Sequence, residues 1–276
     1  MFKTLTIALA ATALSGVAFY GSAGAAPVDK SFTADDGVKI HYIEDGQGPT
    51  VILIHGYTGS AYSNWVALGI FGDLAKNHHV IAIDMRGHGK SDKPHDPALY
   101  GGDRMATDVL ELMDSLHISK AHFAGYSMGG GITGQLLAKA PERFLSASFG
   151  GSGVREADPA AAKASIEMDK KCVNPREAAA SDNLRHAPDR DDVALDDVQK
   201  GRAAKPSTWP QPDLTKVSFP VQAVNGECDA FYSKTVRMKR ELKSFQNVVL
   251  TGDQHLTAVE DPKYRQAVVA FINGAG

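Results

Sequence analysis

His122-Phe123-Ala124-Gly125-Tyr126-Ser127-Met128-Gly129-Gly130 is the stretch whose reading decides the fold. It begins as a short apolar run, passes through a G-x-S-x-G string and opens a run, Gly130–Ala140, whose spacing predicts a helix. The string by itself is modest evidence, because small residues recombine by chance and a Gly-rich turn can carry a purely structural Ser. Its setting carries the weight, since strand, tight turn and helix in that order are what a nucleophile elbow requires. So sharp a turn forces its central residue into a strained backbone, and Gly125 and Gly129 remove the side chains that would clash there. Ser127 Oγ would then stand above the carboxyl edge of a sheet, where ligands of open α/β proteins bind. The Met128 N–H, at the start of the helix, would point at a developing oxyanion.

Working outward, short apolar runs recur at Val38–Ile43, Val51–Ile54, Val80–Ile83, Ala121–Ala124, Leu145–Phe149, Val221–Val224 and Val248–Leu250. Most are continuous rather than alternating, as in strands buried on both faces of a parallel sheet. Between them the spacing predicts helices over Asn64–Lys76, Arg104–Leu116, Lys234–Ser244 and Pro262–Ile272. The expected fold class is therefore α/β, a doubly wound and mostly parallel sheet. One segment breaks the alternation. From Val154 to Lys216 no strand-like run occurs, no Gly appears before Gly201, and Pro206, Pro210 and Pro212 close the stretch. Spaced apolar residues, among them Ile166, Leu184, Leu195 and Val198, favour a small helical insertion over a disordered acidic loop. The expected organisation is a leader over 1–25, a core over 26–153 and 217–276, and the helical cap insertion over 154–216.

The leader is read from Lys3, the sole charge before Asp29, followed by the Ala-rich apolar run Leu5–Phe19 and by Ala23-Gly24-Ala25. That order of charge, apolar run and small residues is a secretory signal peptide, and the run is too weakly apolar for a stable membrane anchor. The expected product is secreted or periplasmic, with no stable membrane anchor once the signal is removed. Over all 276 residues, 29 Lys+Arg face 32 Asp+Glu, a net charge of −3 that leaves no basic footprint for nucleic acid. Export makes the only two cysteines, Cys172 and Cys228, a candidate disulfide, with two free thiols as the alternative.

A nucleophilic Ser needs a base, and the base an orienting acid. Of ten His, most fall on strand faces or in polar surface contexts. His255 follows the run Val248–Thr251 and so lands on the same sheet edge as Ser127. Asp229 follows Val221–Val224 in Gly226-Glu227-Cys228-Asp229 and lands there too, with Glu227 and then Asp253 as rivals for the acid role. The order Ser127…Asp229…His255 is the chain order of one class of Ser-Asp-His hydrolases. A second oxyanion donor is expected after Val51–Ile54, from the backbone N–H of Tyr57 in His55-Gly56-Tyr57-Thr58-Gly59, to act with that of Met128.

Taken together, His55-Gly56-Tyr57, Asp84-Met85-Arg86-Gly87-His88-Gly89-Lys90-Ser91-Asp92, Gly125-Tyr126-Ser127-Met128-Gly129-Gly130, Gly226-Glu227-Cys228-Asp229 and the late His255 resemble the α/β-hydrolase superfamily, in its capped esterase/lipase-like form. The resemblance spans about Asp35 to Gly274. It implies that Arg86 and His88 are scaffold and that the insertion walls an acyl pocket. It also implies a cofactor-free, metal-free serine hydrolase acting on a small-molecule ester, with lactonase or haloperoxidase/perhydrolase chemistry on the same residues as alternatives. A non-catalytic binding protein of the same fold is a further alternative. Ser at 127 disfavours the dehalogenase and epoxide hydrolase branches, whose nucleophile is Asp. The acid-rich stretch Asp182–Asp197 beside the expected pocket leads us to expect neutral esters rather than anionic ones.

Overall fold

The computed structural model describes residues 27–169 and 189–275. The expected leader over 1–25, Cys172 and the middle of the insertion lie outside the described residues. Eight strands form one sheet: β1 Val28–Thr33, β2 Lys39–Asp45, β3 Thr50–Ile54, β4 His79–Ile83, β5 Ala121–Tyr126, β6 Phe144–Gly150, β7 Val221–Gly226 and β8 Phe245–Leu250. Their spatial order is β1-β2-β4-β3-β5-β6-β7-β8, antiparallel as far as the β2–β4 pair and parallel from β4 onward. The helices are α1 Ile70–Leu74, α2 Arg104–Ser115, α3 Met128–Lys139, α4 Pro159–Asp169, α5 Asp192–Ala204, α6 Phe231–Glu241, α7 His255–Glu260 and α8 Pro262–Gly274.

The period-2 geometry of the central strands divides their side chains between two cores. Ile52, Ile54, Ile81, Ile83 and Phe123 face one layer, formed by Val109 and Leu112 of α2, Ile132 and Leu136 of α3, and Met238 of α6. Val51, Leu53, Val80, Ala82 and Ala124 face the other, formed by Ile70, Phe71 and Leu74 of α1 and by Tyr264, Val268 and Ile272 of α8. Helices on both faces of a mostly parallel sheet are the doubly wound architecture expected from the continuous apolar runs. Stripping one such side chain, as in Leu53→Ala, would cost about 2–5 kcal/mol.

Three local elements differ from the sequence expectation. β1 was not expected; it is a sheet-edge strand exposed along most of its length, so it carries no apolar face to read. The helix expected over Asn64–Lys76 is broken. A wide turn over Tyr62–Val66 gives way at Gly69, whose φ of +76° only Gly adopts without strain, before α1 begins. α7, a helix absent from the sequence expectation, begins at His255 itself; the Thr257 hydroxyl accepts the Gln254 N–H at 2.8 Å and caps it.

Register aligns the strand ends that matter. Ile54 lies opposite Gly125, Tyr126 opposite Gly150, Gly150 opposite Val224, and Gly226 opposite Leu250. The segments leaving β3, β5, β6, β7 and β8 therefore emerge side by side at one edge. The insertion between β6 and β7 contributes α4, which packs on α6, and α5, which packs on the turn Pro97–Leu99.

Candidate active site

Ser127 sits between β5 and α3 with φ +52° and ψ −108°, a conformation worth about 1–3 kcal/mol of strain for a residue with a side chain. The strain is held by the sheet: the Ser127 N–H donates to the Gly150 carbonyl at 2.7 Å. Space explains the flanking glycines. A Cβ on Gly129 would lie 2.0 Å from the Ile54 carbonyl oxygen, and one on Gly125 would lie 2.3 Å from that of Gly129. Either substitution would push the turn away from β3.

Ser127, His255 and Asp229 come together at this edge. His255 Nε2 lies 2.7 Å from Ser127 Oγ, and His255 Nδ1 lies 2.8 Å from Asp229 Oδ2. An ionised carboxylate can only accept, so Nδ1 carries the proton and Nε2 is left to receive one from the hydroxyl. The Tyr126 hydroxyl donates to the His255 carbonyl and fixes the start of α7. Asp229 has a second partner that sequence reasoning missed. Lys234 Nζ, on α6 and only 5% exposed, reaches Asp229 Oδ1 at 2.6 Å. Burial pushes the Lys234 ammonium below its ordinary pKa against the pull of Asp229, and repulsion from Arg155 adds to the push. Both Asp229 oxygens are thus occupied by donors.

The rivals for the acid role are placed elsewhere. Glu227 Oε2 accepts the Gly252 N–H at 3.0 Å, which ties the loop after β7 to the loop after β8. Asp253 is fully buried, and its carbonyl accepts the Cys228 N–H at 2.8 Å. Cys228, beside Asp229, is disulfide-bonded.

The His55–Gly59 loop lies against Ser127: a Cβ on Gly56 would be 3.5 Å from the Ser127 Cβ. Asn64 Oδ1 accepts the Gly56 N–H at 2.7 Å and holds the loop, a contact with no sequence signature. His55 is buried; it accepts the Met85 N–H on Nε2 at 3.0 Å while Nδ1 faces the Gly56 carbonyl at 2.8 Å, so it joins the exits of β3 and β4. Among the described residues, neither the Tyr57 nor the Met128 N–H is engaged by an acceptor. The Tyr57 hydroxyl crosses to the insertion, donating to the Leu195 carbonyl at 2.8 Å and accepting from Gln199 at 2.7 Å. Arg86 is fully buried and forks onto Asp108 and Asp36. His88, also buried, faces the Arg86 carbonyl through Nδ1, and burial pushes its pKa down to about 3.

Two cavities meet at Ser127 and His255. The larger, about 630 Å³, is walled by the chain after β6, by α5 and by α6, and includes Arg155, Gln199, Arg202 and Lys234. The smaller, about 190 Å³, lies under Gly56–Gly59, Leu256 and Val259 and is lined by no Asp, Glu, Lys or Arg. Arg155, Gln199 and Arg202 were not singled out in the sequence. Their convergence depends on where the insertion folds back, which no local pattern encodes.

A sequence profile of the alpha/beta hydrolase fold matches residues 49–168. Over 121 residues the chain is 40% identical to the dihydrolipoyllysine-residue acetyltransferase component of the acetoin cleaving system of Cupriavidus necator, covering 43% of this chain and 30% of that one. The chain spans only 27–40% of the length of the first curated relatives it matches. Among solved structures, an epoxide hydrolase from Vigna radiata superposes with a TM-score of 0.69 at 17% identity, covering 90% of this chain and 98% of that one. An esterase from Rhodococcus sp. superposes with a TM-score of 0.64 at 22% identity, covering 90% and 99%. With the eight-stranded sheet, its parallel centre and the strand–turn–helix at Ser127 already in view, the profile match and the solved structures agree on one architecture: the chain has the alpha/beta-hydrolase fold.

Proposed function

We propose that the protein is an exported serine hydrolase that cleaves small or medium carboxylic esters through an acyl-Ser127 intermediate. The observation that carries this reading is the alignment of His255 between Ser127 Oγ, 2.7 Å away, and Asp229 Oδ2, 2.8 Å away, at a strained elbow. Ser127 Oγ attacks the ester carbonyl while its proton moves to His255 Nε2, and Asp229 stabilises the imidazolium that forms. The carbonyl oxygen becomes an oxyanion between the N–H groups of Tyr57 and Met128, each worth roughly 10²–10³ in rate. Collapse breaks the bond to the leaving oxygen, which takes the proton from His255. Water, deprotonated by His255, then hydrolyses the acyl-Ser127 through the same steps and leaves a carboxylic acid and an alcohol. The residues named need no cofactor for any of these steps. A Ser at the position of attack distinguishes this chain from hydrolases that open epoxides through an Asp.

Export is supported by two features, the charge, apolar run and small-residue order of the first 25 residues and the disulfide at Cys228. Replacing Ser127 by Ala tests the catalytic reading. We expect hydrolysis of p-nitrophenyl butyrate to fall by about 10³-fold or more with an unchanged unfolding temperature. A Ser127→Ala protein that keeps its activity would overturn it.

A further inference from the structure

Nine arginines lie among the described residues, and seven of them are ion-paired. Arg86 reaches Asp36 and Asp108, Arg104 reaches Glu111, Arg143 reaches Asp114, and Arg190 reaches Asp192. Arg237 reaches Glu241, Arg240 reaches Glu156, and Arg265 reaches Asp73. Arg155 and Arg202 are the two without a carboxylate among the described residues, and both line the large cavity beside Ser127. They reach it from different elements, Arg155 from the chain after β6 and Arg202 from the last turn of α5. Lys234, on α6, is paired with the single acid among the cavity residues, Asp229, so the two arginines carry the cavity's excess positive charge.

The described acids around and within α5 do not offset this charge. Asp191 caps α5 at the Val193 and Ala194 N–H groups and faces His95, Asp192 pairs with Arg190, and Asp196 and Asp197 pair with Lys200. None of them lines the cavity. The neutral substrate expected from the acid-rich stretch is therefore not what the walls favour.

We infer that the large cavity is a subsite for a carboxylate on the acyl part of the substrate, so that the protein's preferred substrates are monoesters of dicarboxylic acids. The inference rests on the proposed esterase reading and adds the substrate class to it. With the ester carbonyl at Ser127, the free carboxylate lies between the Arg155 and Arg202 guanidinium groups, whose planar forks suit a carboxylate. The uncharged chamber under Gly56–Gly59, Leu256 and Val259 takes the short alcohol part. Hydrolysis consumes one water and releases the dicarboxylate and the alcohol.

The test compares monoethyl adipate with ethyl hexanoate, matched in alcohol and acyl length and differing in the terminal carboxylate, on the full chain. The wild type should favour monoethyl adipate in kcat/KM by about tenfold or more, and the preference should shrink as salt is raised. Arg155→Gln and Arg202→Gln should each lower the adipate-to-hexanoate ratio several-fold, and together by about tenfold or more. A wild type that prefers ethyl hexanoate, or a ratio that the double variant leaves in place, overturns the subsite. Calorimetric titration of the Ser127→Ala protein with monoethyl adipate separates the two claims. Arginine-dependent binding with neither ester hydrolysed by the wild type would sink the esterase reading and keep the subsite. Turnover of ethyl hexanoate, with no adipate binding, would sink the subsite and keep the esterase.

Discussion

At the residue scale, what sets Asp229 apart from Glu227 is the turn that follows β7. The Asp229 N–H donates to the Gly226 carbonyl at 3.1 Å, which folds the chain back so that the Asp229 carboxylate meets His255 Nδ1. Glu227, two residues earlier, points at the Gly252 N–H instead. Asp229→Asn should therefore cost about 10⁴ in kcat for p-nitrophenyl butyrate, because the amide stabilises the wrong tautomer. Glu227→Gln should cost less than about tenfold, since it keeps an acceptor for Gly252. A larger loss at Glu227 than at Asp229 would reverse the proposed roles. Ser127 and His255, the proposed nucleophile and base, could be singled out from sequence, because a G-x-S-x-G string and a late His announce themselves by position. For the acid the sequence reading favoured Asp229 over its rivals Glu227 and Asp253 without a local signal to separate them, and Lys234 was invisible. Its contact with Asp229 depends on α6 packing over the loop, and nothing in the local sequence marks a Lys for burial.

At the element scale, the buried His41 imidazole ties the antiparallel edge to the chain that follows β4. His41 on β2 lies between Asp84, after β4, at 2.8 Å and Asp29, on β1, at 2.7 Å. Burial opposes the His41 charge, but the two carboxylates outweigh it and raise the pKa above its ordinary value. A raised folded-state pKa stabilises the fold fully below the unfolded value near 6.5 and is lost as pH climbs through the folded one. His41→Gln should thus lower stability by on the order of 1 kcal/mol more at pH 6 than at pH 9, read from urea unfolding at both. An equal loss at the two pH values would contradict a charged His41. β1 itself escaped the sequence reading because Asp29, Lys30 and Ser31 give it the pattern of a solvated segment, which an edge strand is free to have. The central strands were legible because burial on both faces demands continuous Val, Ile and Leu.

At the scale of the whole molecule, the sheet edge and the insertion share the site. Tyr57 joins them, with its backbone beside Ser127 and its hydroxyl on α5. Sequence could announce that an insertion exists, since strand signals cease over 154–216. It could not say which of its side chains face inward, because that depends on how α5 seats on Pro97–Leu99. That is why the acid-rich composition pointed to neutral substrates while the cavity wall is cationic. The central claim, that the assembled edge makes Ser127 a nucleophile, is tested most directly by intact-protein mass spectrometry after treatment with a fluorophosphonate probe, with the adduct mapped by proteolysis. The account predicts one adduct per chain, on the peptide that contains Ser127, formed by the native protein and abolished by urea unfolding or by His255→Ala. No adduct, or an adduct at another residue, would contradict it.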